Sequence, residues 1–179
     1  MKNRLLSFAA TLLTAVGIFY GGTSCSNTAG RMTYEDSIAH IAAQRLMQSG
    51  DFILTANHVS VGRIISKAVT PNTNFVMVRN GQAIVQATPV VGGGPNGLGG
   101  ITFTGNITSY KVTTSKKGQM TAKFHLSARV GSADVTVILE NAYNRATAYV
   151  SGDFTGKDMV FTGSIQSTVN STYLEGRSF

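Results

Sequence analysis

The feature that most constrains this chain is a hydrophobic period of two that recurs from residue 52 to residue 165 between short turn signals. It is clearest in residues 120–130. Met120, Ala122, Phe124, Leu126, Ala128 and Val130 fall in one phase, while Thr121, Lys123, His125, Ser127 and Arg129 fall in the other. Successive side chains of a strand point to opposite faces, so the pattern describes a sheet with one dry and one wet face. Burial of each large side chain in the dry phase contributes about 1.5–3 kcal/mol.

Turn chemistry divides the remainder into strands. Asn80-Gly81 separates Phe75-Val76-Met77-Val78-Arg79 from Gln82-Ala83-Ile84-Val85-Gln86, a hairpin signal because both turn residues tolerate positive φ. Ser115-Lys116-Lys117-Gly118 joins residues 101–114 to the strand beginning at Met120, and Gly131-Ser132 leads into residues 133–140. Residues 141–145 turn into 146–150, and residues 152–158 turn into 159–165. Ile101, Phe103 and Ile107 share a phase that Tyr110 and Val112 do not, which predicts a bulge near Thr108-Ser109. With residues 52–59 and 63–69 added, about eight or nine strands are expected, without an internal repeat.

One helix precedes them. Thr33 can cap it, Glu35 and Asp36 oppose its positive end, and Gly50 ends it. Ile38, Ile41, Ala42 and Leu46 form the stripe expected to face the sheet, with Arg45 and Gln48 on the solvated side. The expected fold is therefore α+β and mostly β: an antiparallel sheet or sandwich with an N-terminal amphipathic helix packed on it. A single domain over residues 33–165 suffices, since a chain of this size buries roughly 68–70% of its unfolded surface. Residues 166–179 turn polar and lose alternation, so a frayed C-terminal tail is expected.

The N-terminus reads as an export signal. Lys2 and Arg4 precede an apolar stretch from Leu5 to Phe19, and Gly21-Gly22-Thr23-Ser24 supplies small residues for cleavage. The apolar stretch is shorter than the roughly 20 residues a spanning helix needs. Cys25, the only cysteine, would become the new N-terminus and a site for lipid, with residues 25–32 as a polar tether. Gly22 stands where a lipobox usually has an aliphatic residue, so ordinary signal cleavage before a free thiol is the alternative. Several acyl chains on Cys25 give a stable anchor, which places the expected protein in the periplasm or cell envelope, on the outer membrane before the inner.

Lysine and arginine outnumber aspartate and glutamate 15 to 8, and removal of Lys2 and Arg4 leaves 13 to 8, a net charge of +5. That balance favours anionic neighbours such as lipid headgroups or acidic glycans. The basic residues are scattered along the chain, which does not suit a nucleic-acid partner.

Among candidate sites, Gly92-Gly93-Gly94-Pro95-Asn96-Gly97-Leu98-Gly99-Gly100 contains a G-x-G-x-x-G match. A phosphate-binding loop must open a helix, and a strand follows here, so neither nucleotide nor other cofactor is expected. The readings left are a long loop with Pro95-Asn96-Gly97 as a turn and a loop that contacts a ligand or partner. His40, His58 and His125 lack metal-ligand spacing, and no metal site is expected. The chain has no G-x-S-x-G or S-x-x-K segment, and no catalytic residue is assigned. Asp153 and Asp158 flank one turn, where a glycosidase pair competes with plain turn carboxylates. The terminal Phe179 invites comparison with outer-membrane barrels, but Glu175 and Arg177 occupy what would be apolar positions of the last strand.

Several segments together carry a family resemblance: Phe52-Ile53-Leu54-Thr55-Ala56, Pro71-Asn72-Thr73-Asn74-Phe75-Val76-Met77-Val78, Pro95-Asn96-Gly97-Leu98-Gly99-Gly100-Ile101-Thr102, Tyr110-Lys111-Val112 and Phe161-Thr162-Gly163. The chain resembles domain-of-unknown-function family 4251, exported proteins typical of Bacteroidetes. The resemblance implies an envelope location and one small domain, and it brings no activity, ligand or catalytic residue. The expected role is a non-catalytic binding or structural module for an envelope protein or glycan. A cell-wall-directed hydrolase with a dispersed site is the alternative.

Overall fold

The computed structural model describes residues 32–62, 66–88, 94–153 and 156–178. The expected signal segment and tether, with Cys25, lie outside the described residues, as do Gly92 and Gly93 of the glycine-rich segment. The order of elements is α1 (Tyr34–Ser49), β1 (Phe52–Val61), β2 (Lys67–Ala68), a 3-10 turn (Pro71–Thr73), β3 (Phe75–Arg79), β4 (Gln82–Ala87), β5 (Ile101–Thr114), β6 (Met120–Ala128), β7 (Gly131–Leu139), β8 (Ala146–Gly152) and β9 (Met159–Gln166). The Asn80-Gly81 turn has both residues at positive φ. The bulge falls where the phase change requires it: the β5–β6 register shifts between Thr108 and Lys111, and Ser109 adopts φ 60°.

The sheet does not stay open. β1 pairs antiparallel with β9, from Ile53 opposite Gln166 to Val61 opposite Met159, so the strands form an eight-stave antiparallel barrel rather than an open sheet or sandwich. β2 and β3 pair with β1 at different points, His58–Val59 and Phe52–Thr55, and together make one stave interrupted by the 3-10 turn. Alternation reports that each strand has a dry face. It says nothing about whether the last strand returns to the first, which is why a sandwich was expected.

Closure demands close backbone approach. A Cβ at Gly163 would lie 1.9 Å from the Thr55 carbonyl oxygen, at the point where β9 meets β1. Gly105 and Gly152 belong to the same inward phase, and a Cβ there would sit 2.4 and 2.5 Å from carbonyls of the adjoining strands. Glycine within a strand marks the tight bends that coil a sheet into a barrel.

The interior is solid. Phe52, Leu54, Phe103, Phe124, Leu139 and Phe161 are at most 3% exposed and belong to one continuous cluster. The outward phase is polar, as Lys111, Lys123, Ser127 and Asp134 show by their exposure. A transmembrane barrel has the reverse arrangement, with its apolar phase outside.

Helix α1 closes one end. Thr33 and Asp36 form a reciprocal capping box, and the hydrogen bonds from the Thr33 backbone and hydroxyl hold the Asp36 carboxyl below its ordinary pKa. Gly50 ends the helix in the left-handed conformation. The docking face is rotated from the one the sequence suggested, which keeps Leu46 packed against the core but turns Ile38, Ile41 and Ala42 outward. His40, Ala43 and Met47 are buried, whereas Ile38 and Ile41 are about half exposed at 51% and 47%. Ala43 is small enough to let the helix backbone approach the barrel mouth, Met47 fills the gap beneath it, and polar contacts fix the orientation. His40 Nδ1 donates to the Tyr143 carbonyl at 3.0 Å, and the Tyr110 hydroxyl donates to the Met47 carbonyl.

The C-terminal segment also departs from expectation. Tyr173 packs edge-on against Phe75, with ring centroids 5.4 Å apart, and covers an outward apolar cluster of Ile53, Phe75 and Met77. Leu174 N–H donates to the Asn72 carbonyl and Arg177 N–H to the Asn96 carbonyl, both at 2.8 Å. The tail therefore runs along the barrel wall instead of fraying.

Two outcomes follow from this packing. Gly163→Ala forces β1 and β9 apart and is expected to cost about 1–3 kcal/mol in chemical denaturation. Burial pushes the Tyr110 phenol from 10.0 up to about 12. The folded state then holds this proton more tightly than the unfolded chain, so its effect on stability is absent below about pH 10 and destabilising from there to about pH 12. Thermal melts of Tyr110→Phe should show a flatter pH dependence than wild type across that window.

Candidate functional site

The glycine-rich segment is held by side chains that have no freedom left to bind anything else. Asn96 is 2% exposed. Its Oδ1 accepts from the backbone N–H of Leu98 and of Gly100, both at 2.9 Å, and its Nδ2 donates to Thr102 Oγ1 at 3.1 Å and Thr88 Oγ1 at 3.4 Å. Two donors and two acceptor sites are all this side chain has. Gly94 and Gly99 form an antiparallel bridge, and Gly97 and Gly99 take positive φ. A Cβ at Gly100 would lie 2.0 Å from the Ala87 carbonyl. Residues 94–100 are thus a closed turn leading into β5, not into a helix; Pro95, Gly97 and Leu98 form its exposed side.

The network extends from this turn. Gln86, fully buried, donates through Nε2 to the carbonyls of Thr73 and Leu174, and accepts at Oε1 from Thr102 Oγ1 and Gly176 N–H. Asn74 donates to the Thr88 carbonyl at 2.6 Å and accepts from the Thr88 N–H at 2.7 Å. These amides join the 3-10 turn, β4, β5, the glycine turn and the tail. Satisfied buried networks of this kind specify one packing and penalise the loss of any member.

A second constellation lies on the outer wall. The register sets Thr108 on β5, His125 on β6, Asp134 on β7 and Ser151 on β8 in one row. His125 Nδ1 donates to Asp134 Oδ1 at 2.9 Å. The pair forms the wall between two open grooves. One, about 730 Å³, runs toward the end away from α1 and is lined by Ser132, Ser151, Asp153, Lys157 and Asp158 besides the pair. The other, about 490 Å³, continues along β6 and β7 past Ser109, Lys123 and Thr136. Tyr149, 48% exposed, is two residues from Ser151 in the same phase of β8 and lies opposite Thr136.

Along the row His125 stands between the Thr108 hydroxyl and Asp134, the order of an acyl-transfer relay, while Ser151 lies beyond the acid. A relay places histidine between the nucleophile and a buried acid. Here Asp134 lies between His125 and Ser151, and its side chain is 83% exposed. Water competes for that carboxylate, and a surface pair of this kind contributes about 0–1 kcal/mol. Asp153 and Asp158 both line the larger groove. The three histidines stay apart in role: His40 helps hold α1, His58 bonds Asn57, and His125 belongs to the trough. Among the described residues no three His, Cys, Asp or Glu side chains converge to hold a metal.

The trough was hidden in the sequence by one misplaced turn. With Gly131-Ser132 as the turn, Val130 would face Ala133 and His125 would face Ile138. In the structure the turn is Arg129-Val130, Ala128 pairs with Gly131, and His125 faces Asp134. The left-handed preference of Gly131, at φ 142°, is the signal that marks the earlier position.

Fold and surface define a water-facing, helix-closed antiparallel barrel with a packed interior and a polar trough outside. The chain belongs to the family described as Domain of unknown function (DUF4251), which matches residues 35–165. It is similar to the crystal structure of a DUF4251 family protein from Bacteroides eggerthii DSM 20697, at 32% identity and a TM-score of 0.65 over 76% of this chain and 93% of that one. No curated protein matches the chain. The family is the one its segments resemble, and three of the resembling residues, Asn74, Asn96 and Thr102, are occupied in the buried network.

The network makes its own prediction. Gln86→Ala removes the acceptor for Thr102 and Gly176 and the donor for Thr73 and Leu174, and is expected to destabilise the domain by about 2–3 kcal/mol. Hydrogen exchange should show residues 173–177 losing protection before the barrel does.

Proposed function

We propose that this is an exported envelope protein, anchored through lipid on Cys25 after loss of residues 1–24, whose barrel binds a neutral glycan along the outer trough without cleaving it. The observation that carries this reading is the solid interior. With Phe103, Phe124 and Phe161 filling the space inside, any ligand must bind outside, at the ends or on the wall. The trough there offers alternating hydroxyl, carboxylate, imidazole and ammonium groups beside the exposed ring of Tyr149. Vicinal sugar hydroxyls both donate and accept, which suits a lining of mixed sign, and the apolar face of a pyranose suits an aromatic platform with a polar tip. The exposed side of the glycine turn, Pro95, Gly97 and Leu98, lies at the same end of the barrel as the larger groove.

The His125–Asp134 bond favours a second reading, a cell-wall-directed hydrolase. The same experiment separates the two. Titration of the protein with soluble fragments of envelope glycans, followed by NMR shifts and by mass spectrometry of the glycans, should give binding with unchanged glycan masses. Tyr149→Ala and Asp134→Asn should each weaken that binding by about tenfold, the loss of one good contact of 1–2 kcal/mol. Glycan products whose formation stops in His125→Ala would establish the hydrolase instead, and no shift with any fragment would remove the trough as a glycan site.

A further inference from the structure

The C-terminal segment builds one bank of a slot on the outer wall, away from the trough. Met77 on β3, Ile84 on β4 and Thr104 on β5 stand opposite one another in register and form its floor. Gln86 holds the tail along one side, because its amide donates to the Leu174 carbonyl and accepts from the Gly176 N–H. Tyr173 and Glu175, two residues apart on that segment, both line the slot. Arg79 and Gln82 are the next outward pair along the β3–β4 hairpin and form the other bank, about 6.8 Å from the floor row. The slot holds about 340 Å³, which is at the small end of ligand pockets.

The two banks carry opposite charges that nothing uses. Arg79 and Glu175 are exposed, and neither has an ion-pair partner among the described residues. Asp51 stands one step beyond the Phe52–Val78 pair, on the β1 side of Arg79, and accepts from the Thr168 hydroxyl at 2.6 Å. Arg177, the next charge along the tail, has its amide bound at Asn96 and does not line the slot. The Thr104 hydroxyl is buried without a hydrogen-bond partner. Rotation about χ1 exchanges its position with that of the methyl, which gives an occupant one more polar contact. An acid on one bank, a base on the other, and methionine and isoleucine between them complement a molecule that carries both charges on an apolar body. A neutral sugar would leave both charges without a counterion, and a simple anion would be repelled by Glu175.

We propose that this slot binds a small zwitterion with an apolar side chain, a free amino acid or dipeptide, with its carboxylate on Arg79 and its ammonium on Glu175. The site depends on neither the trough nor a lipid anchor. Because Tyr173 and Glu175 belong to the tail, the occupant also fastens residues 173–177 to the barrel, and by linkage a fastened tail binds the occupant more tightly.

The probes are leucine and alanyl-leucine, with N-acetyl-alanyl-leucine and alanyl-leucine amide as forms that each lack one charge. Titrated into the isotope-labelled protein, a free probe should shift the amide signals of Arg79, Ile84, Thr104 and Glu175 to saturation. Each blocked form should bind at least about tenfold more weakly than alanyl-leucine, the loss of one charged hydrogen bond. Arg79→Gln and Glu175→Gln alter exposed side chains and should keep the native melting transition. The first should lose the discrimination between free acid and amide, and the second the discrimination between free and acetylated amine. Hydrogen exchange at Leu174, Gly176 and Arg177 should slow when the dipeptide is bound. Equal binding of the free and blocked forms overturns the proposal. So does the absence of a saturable shift with either free probe, or a shift confined to His125 and Asp134 in the trough.

Discussion

The pairing of β1 with β9 is the constraint on which the rest of the structure depends. It joins the two ends of a meander, so neither β1 nor β9 presents a row of unpaired amides to another chain along the seam. It also fixes what the interior can be. Eight staves enclose a space that side chains just fill, and here phenylalanines, leucines and methionines fill it. A pocket for a small apolar cargo is thereby given up, and the molecule meets its environment through its ends and its outer wall.

Those surfaces differ from one another for local reasons. At one end a capped helix inserts Ala43 and Met47 into the mouth and leaves an apolar stripe outside. At the other, the glycine turn is cinched by Asn96, Thr102 and Gln86, and the same amides hold the C-terminal segment against the wall. The trough runs along β6, β7 and β8 toward that second end.

What was legible in the sequence was local. Asn80-Gly81, the Thr33 and Gly50 caps and the Thr108-Ser109 bulge each follow from backbone preferences of a few adjacent residues, and each stands where those preferences place it. Most of the failures are matters of how distant segments meet. Closure rests on Gly163 meeting Thr55 more than a hundred residues earlier, and alternation is the same in a sandwich. Of the expected helix stripe only Leu46 reaches the core; the helix is rotated because Ile38 and Ile41 outweigh Ala43 in hydrophobicity, while the mouth selects for small size and for the His40–Tyr143 bond. The polar tail has no period, since its order comes from backbone groups received by Gln86, Asn72 and Asn96. Of the trough, the residues were visible singly and their meeting was not, because a two-residue error in one turn changes the partner of His125.

Closure itself is open to direct measurement by NMR on the isotope-labelled protein. Across an antiparallel seam, facing residues bring their backbone protons within a few ångströms, so Leu54 with Ile165, Thr55 with Ser164 and Val59 with Phe161 should give cross-strand nuclear Overhauser effects. Amides of β1 and β9 should exchange with solvent as slowly as those of β6 and β7. If those effects are missing and β9 amides exchange like an edge strand, the sheet is open, and the filled interior that directs ligands to the wall no longer follows.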